Sequence, residues 1–209
     1  MTKPDIHRLL EFQKLLLKFS QIERVVSRRQ GDHYINENDS EHSYNLTMTA
    51  WFLAPHFPEL DKDLVIKCAL VHDLVEIHAG DTYAYGDQSH IESKVERETA
   101  ALLKLEAEWP DLSEITDLMH SYELHESNEA KFVYALDKVM PIMQIYLNDG
   151  KTWHDEGLTI ERLHAKKERQ VVVSPEIEPY YKAPLGGVGT GSLPISSAGI
   201  NAGITRQIP

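Results

Sequence analysis

The sequence predicts an all-α fold, a bundle of about six or more helices, and three observations carry that prediction. Apolar residues recur at helical spacing through most of the chain, and no segment keeps a strict two-residue alternation. The hairpin dipeptides Asn-Gly and Asp-Gly occur once, at Asp149-Gly150, between two helical patterns. A length of 209 residues suits one domain with a substantial core.

The elements follow in order. Residues 6–19 set Leu9, Leu10, Phe12, Leu16, Leu17 and Phe19 among charged residues, the pattern of an amphipathic helix. Residues 21–38 are polar, rich in Arg and Asn around Gly31, and are expected to form a loop that carries Arg24, Arg28 and Arg29. Asn38, Asp39 and Ser40 offer N-caps for a second helix, which runs to about Leu53 before Pro55 and Pro58. Asp61 or Asp63 opens a third helix, expected to continue to about Ile77. Gly80, Asp81, Gly86 and Asp87 mark residues 79–89 as a loop. A charged helix is expected over 90–108, ending at Trp109-Pro110. Shorter helical pieces span 112–124, and a long helix covers 128–147 with Pro141 as its kink. The last helix covers about 158–172, with a restart after Pro175.

From Gly186 onward, six of the chain's eleven glycines fall within 24 residues, and Arg206 is the sole charge. Such a segment has too little bulky apolar surface to offset its ordering entropy. The expected organisation is therefore a folded domain over 1–182 and a flexible Gly/Ser-rich tail over 183–209. The Gly186-Gly187-x-Gly189-x-Gly191 run has no strand before it and no helix after it, so it is not read as a phosphate loop.

Charge narrows the function. There are 21 Lys and Arg against 33 Asp and Glu, a net charge of −12. That balance argues against a clamp for nucleic-acid polymers and against an anionic-membrane binder. A small anionic substrate stays open, because a bound metal supplies local positive charge. The single cysteine, Cys68, excludes an internal disulfide framework. No apolar run reaches transmembrane length, and residues 1–6 show no signal-peptide core, so a cytoplasmic setting is expected.

The chemistry shows as polar residues on apolar helices. Leu64, Val65, Ile66, Ala69, Leu70, Val71, Leu74, Val75 and Ile77 cover nearly every face of the third helix, yet His72, Asp73 and Glu76 stand among them. A buried carboxylate costs several kcal/mol unless it is paired or bound to metal. Asp137 repeats the anomaly among Phe132, Val133, Leu136, Val139 and Met140, and His42 does so ahead of Leu46, Trp51 and Phe52. Each has a plainer reading alone: a core histidine bonded to an aspartate, an ion pair with Lys138, a capping residue. In combination, His42, His72, Asp73 and Asp137 form a mixed N/O donor set suited to one divalent metal ion of several kinds (Mn, Co, Mg, Fe, Ni or Zn). Glu76, one turn beyond the His-Asp pair, is then within reach of a water.

His42, then His72-Asp73, then Asp137 match the H…HD…D signature of the HD-domain superfamily, and the segments NDSEHSYNLTMTAWFLA, ALVHDLVEIHAGDT and KFVYALDKVMP resemble its YfbR-type 5′-deoxynucleotidase subgroup. The resemblance covers about residues 5–182. It implies an all-α metal-dependent phosphohydrolase, a homodimer, acting on a (deoxy)nucleoside monophosphate and releasing inorganic phosphate. It assigns the metal to His42, His72, Asp73 and Asp137, proton transfer at the attacking water to Glu76, and a second functional acid to Asp81. The subgroup's Arg-Trp pair after the first helix has no counterpart here, and Arg24 and Arg28 become the candidates for phosphate contact. Another phosphate ester, a nucleoside triphosphate or a cyclic nucleotide, is the alternative substrate. A catalytically silent nucleotide- or protein-binding module is the alternative from another class, and retention of Glu76 and Asp81 weighs against it.

Overall fold

The computed structural model describes residues 3–185, with side chains through residue 182. Residues 186–209, which hold most of the expected Gly-rich tail, lie outside the described residues. The chain divides into two compact units. One comprises the residues up to Arg24 and Glu37–Val133; the other comprises Val25–Asn36 and the residues from Tyr134 onward.

The first unit is helical. α1 (Ile6–Phe19) starts at Asp5, whose side chain accepts from the Arg8 N–H. α2 (Asp39–Leu53) opens on a capping box: Asn38 Oδ1 accepts from the Glu41 N–H, and Glu41 Oε2 from the Asn38 N–H. α3 (Lys62–Val71) is capped by Asp61, which accepts from the N–H groups of Asp63 and Leu64. After α4 (Glu76–Ala79) and α5 (Gln88–Glu92), α6 (Lys94–Glu108) and α7 (Ser113–Glu123) complete the layer. α2 packs on α3, α3 on α7, α4 on α6 and α1 on α4. Their shared core joins Leu15, Phe19, Val71, Leu74, Val75, Leu102, Leu105, Trp109 and Met119. α8 (Asn128–Leu147) begins in this unit, where Phe132 meets Phe57 edge-on.

The second unit holds residues 25–36 of a β-hairpin, the remainder of α8, α9 (Lys151–Asp155), α10 (Ile160–Val171) and α11 (Glu178–Leu185). The Ser27 N–H donates to Thr152 Oγ1 at 2.9 Å and the Arg29 N–H to Asn148 Oδ1 at 2.7 Å, which ties the hairpin to the residues around α9. Asp149 and Gly150 both adopt positive φ, so this dipeptide turns the chain between two helices and makes no hairpin. α8 passes through Pro141, which has no N–H to offer the carbonyl of Asp137 four residues back.

Three local expectations need correction. Residues 21–38 are not a loop: β1 (Glu23–Gln30) and β2 (His33–Asn38) form a two-stranded sheet. Gly31, with φ +61°, opens the two-residue turn Gly31-Asp32, a dipeptide suited to a tight hairpin. The third helix stops at Val71 and does not reach Ile77. Beyond it the N–H groups of Leu74, Glu76 and Ile77 bond three residues back, to Val71, Asp73 and Leu74, so the chain tightens where the polar residues stand. The helix expected over 90–108 is two, broken at Ser93. The all-α reading stands, with the hairpin as its one sheet among the described residues.

Leu46 sits on the buried face of α2 with no exposed surface. Leu46→Ala is expected to destabilise the protein by about 2–5 kcal/mol, read as a lower urea midpoint at unchanged slope.

Candidate metal and catalytic centre

His42, on the second turn of α2, and His72, just past α3, are both fully buried. Their rings lie 5.4 Å apart between centroids, and His72 also meets Tyr122 edge-on. His72 Nδ1 lies 3.0 Å from the carbonyl oxygen of Ala69. A carbonyl only accepts, so Nδ1 carries the proton and Nε2 presents its lone pair. Asp73 Oδ2 lies 3.0 Å from His72 Nε2 and 3.7 Å from His42 Nε2. Two imidazole nitrogens and a carboxylate oxygen therefore converge, each within 4.8 Å of the others. Behind His42, Glu37 Oε2 stands 3.6 Å from Nδ1, the carboxylate–histidine contact that orients a ligand ring.

The hairpin explains how Arg24 reaches this group. The Asp39 N–H donates to the Ile22 carbonyl at 3.0 Å, which holds the start of α2 beside the chain that enters β1 next to Arg24. Arg24 Nη1 lies 3.2 Å from Asp39 Oδ1, 3.0 Å from Asp73 Oδ2 and 3.8 Å from Asp81 Oδ1, and Nε lies 3.7 Å from Glu37 Oε2. One guanidinium thus neutralises part of a dense acidic cluster. Asp39, Asp73 and Glu76 form a second convergent set of carboxylates.

Burial dominates the electrostatics. It pushes the Glu76 carboxyl well above the usual range, and the nearby charges of Asp73, Asp39 and Asp81 push it the same way. Asp39 is pushed up to about 6, by burial first, against a hydrogen bond with Glu76 and the pull of Arg24. Asp81 is raised by burial, with Arg24 opposing. Glu76 Oε2 and Asp39 Oδ2 are buried without a hydrogen-bond partner among the described residues, the condition that a bound cation would relieve. The donors fit a divalent ion: neutral imidazole and carboxylate, in a cluster short of positive charge.

The first unit therefore brings together His42, His72, Asp73, Glu76, Asp81 and Arg24. Asp137 and Arg28 belong to the second unit. Asp137 is buried on α8 with Lys138 Nζ at 2.5 Å from its Oδ2, and Arg28 is half-buried on β1. His78, next to the cluster in sequence, pairs with Glu108 at 3.1 Å. The sequence reading missed Glu37, Asp39 and Lys94. The two acids stand in a polar run that reads as solvated, and nothing in it but Gly31-Asp32 signals the hairpin that buries them. Lys94, from the first turn of α6, has Nζ 3.2 Å from Glu98 Oε1. Burial lowers its pKa, and Glu98, Asp73 and Glu76 outweigh that effect and raise it.

Comparison with known proteins identifies the family. The HD domain family model matches residues 20–178. The chain is 36% identical to the 5′-deoxynucleotidase HDDC2 of Bos taurus over 150 residues, 69% of each chain. It is 37% identical to the Xenopus laevis 5′-deoxynucleotidase HDDC2 over 142 residues, 65% of this chain and 67% of that one. A predicted metal-dependent phosphohydrolase from Magnetospirillum magnetotacticum MS-1 superposes with a TM-score of 0.70 at 29% identity, covering 84% of this chain and 90% of that one. With the signature residues in order and the helical architecture around them, the chain belongs to the HD-domain family.

Proposed function

We propose that the protein is a metal-dependent phosphomonoesterase that releases inorganic phosphate from (deoxy)nucleoside 5′-monophosphates. The observation that carries this reading is the buried convergence of His42, His72 and Asp73, with Glu76 and Asp81 beside them. Relatives at about this distance are named 5′-deoxynucleotidases, which supports the substrate class.

In this reading His42, His72, Asp73 and Asp137 would hold one divalent ion, for which neutral imidazole and carboxylate are suitable donors. Such an ion supplies acidity to water and positive charge against phosphate oxygens. Glu76 takes the proton from the attacking water, and its burial, with the charges of Asp73, Asp39 and Asp81, raises its affinity for that proton. The new P–O bond forms as the ester P–O bond breaks, and the departing nucleoside oxygen takes up a proton from Asp81, the second functional acid of this reading. Arg24 and Arg28 contact the phosphate, where the planar guanidinium matches its oxygens. A net charge of −12 does not oppose this, because the attraction of a small anion is local.

We read the protein as cytoplasmic, in keeping with its one buried, unpaired cysteine, Cys68. No helix among the described residues is long and apolar enough to cross a membrane. We also propose a homodimer. α2 turns Tyr44, Met48, Trp51 and Phe52 outward at spacings of 4, 3 and 1 residues, with Phe52 73% exposed, and a second copy of the same stripe would cover them.

Purified protein loaded with Mn²⁺, Co²⁺ or Mg²⁺ is expected to release phosphate from at least one of a panel of ribo- and deoxyribonucleoside 5′-monophosphates. A panel without turnover would refute the nucleotidase reading. Asp73→Ala should lose bound metal by elemental analysis. Glu76→Gln should keep the metal while turnover falls by about 10²–10⁴-fold. In sedimentation equilibrium the wild-type chain should be a dimer and Phe52→Glu a monomer; a monomeric wild type would rule out the dimer.

A further inference from the structure

Arg97, on α6, makes four side-chain hydrogen bonds that the chemistry above does not use. Nη1 donates to the Ala79 carbonyl at 2.6 Å, and Nη2 donates to Thr82 Oγ1 at 2.7 Å and to the His90 carbonyl at 3.1 Å. Nε donates to Ser93 Oγ at 3.3 Å. These acceptors are carbonyl and hydroxyl oxygens, neutral groups with fixed positions, in a chain of 33 acids. An arginine bonded in this way acts as a brace, and its planar fork meets several fixed acceptors as a lysine cannot.

The braced segment is informative. Ala79 ends α4, the helix that Glu76 opens, and Thr82 directly follows Asp81. Between them Gly80 adopts φ +73° and ψ 151°, a conformation that residues with a Cβ rarely hold. Residues 80–87 form neither helix nor strand, so no backbone ladder fixes where Asp81 points. Arg97 bonds the chain immediately before this turn and immediately after Asp81, and bonds α5 and Ser93 at the segment's far end.

We infer that Arg97 is a positioning residue that fixes Asp81 in the site by bracing both flanks of the Gly80-Asp81 turn, without itself touching substrate or metal ligands. The inference rests on the proposed role of Asp81. A displacement of about 1 Å in a reacting geometry costs about 10²-fold in rate, and loss of the brace should act on that scale.

The test uses the full-length, metal-loaded protein and the best mononucleotide of the panel. Arg97→Ala should lower kcat by about 10–10²-fold with little change in KM, while the metal content stays that of the wild type. Arg97→Lys should recover little, and added guanidinium ion should restore part of the rate of Arg97→Ala. Combined with Asp81→Ala, Arg97→Ala should cost nothing further, because both act on one element. Should Arg97→Ala fail to fold, Thr82→Val removes one acceptor and should lower kcat in the same direction by a smaller factor.

A wild-type kcat in Arg97→Ala, or in Thr82→Val where that variant stands in, would overturn the inference, as would a fully multiplicative loss in the double variant. Asp81→Ala at full rate would overturn the role given to Asp81 and this inference with it. A slow Asp81→Ala beside a fast Arg97→Ala would overturn the inference alone.

Discussion

The constraint on which this structure turns is the burial of Glu37, Asp39 and Glu76, with Asp73 and Asp81 half-buried beside them, around two buried imidazoles. Each ionised carboxylate withdrawn from water costs several kcal/mol unless charge or hydrogen bonds return it. Arg24 returns part, through contacts of 3.0–3.8 Å with Asp39, Asp73, Asp81 and Glu37. The rest appears as raised pKa values at Glu76, Asp39 and Asp81. A cluster like this is poor design for stability alone. It makes sense where a divalent cation is to be held and a proton is to be moved.

The backbone is shaped to serve that cluster. The α3 pattern is apolar enough to run on, yet the helix gives way to three-residue hydrogen bonds at His72–Glu76. That tightening lets His72 bond the Ala69 carbonyl while Asp73 turns toward both imidazoles. Gly80 then reverses the chain and delivers Asp81 back to Arg24. Regular helices hold the frame, and short irregular turns aim the reactive groups. This division is common where function needs directions that a helix does not offer.

The acidic net charge is consistent with this arrangement. A chain with a net charge of −12 repels polyanions, whereas a small anion responds only to the field within a few ångströms of a bound cation. Helix α6 adds cationic groups of two kinds: Lys94, whose charge is felt by Asp73, Glu76 and Asp81, and Arg97, whose hydrogen bonds go to neutral oxygens.

Much was legible in the sequence because it rests on local rules. The periodicity of 6–19 placed α1 at its observed ends, the polar residues at 38–41 marked the start of α2, and apolar neighbours singled out His42, His72, Asp73, Glu76 and Asp137 as too costly to bury idly. Asp81 and Arg24 entered as candidates through the resemblance to the family, the first by its position in the Gly80-Asp81-Thr82 turn and the second by its place after the first helix. The hairpin was not, since Val25-Val26 is too short an apolar signal among arginines and its stability comes from tertiary contacts such as Ser27 to Thr152. With the hairpin unread, the burial of Glu37 and Asp39 was unread too, as were the counter-charge role of Arg24 and the bracing by Arg97. Residue chemistry and periodicity alone determined the helical class and nominated a donor set. Which acids lose their water, and which cation answers them, depends on partners up to 57 residues from Arg24 in the chain, and only the tertiary structure decided that.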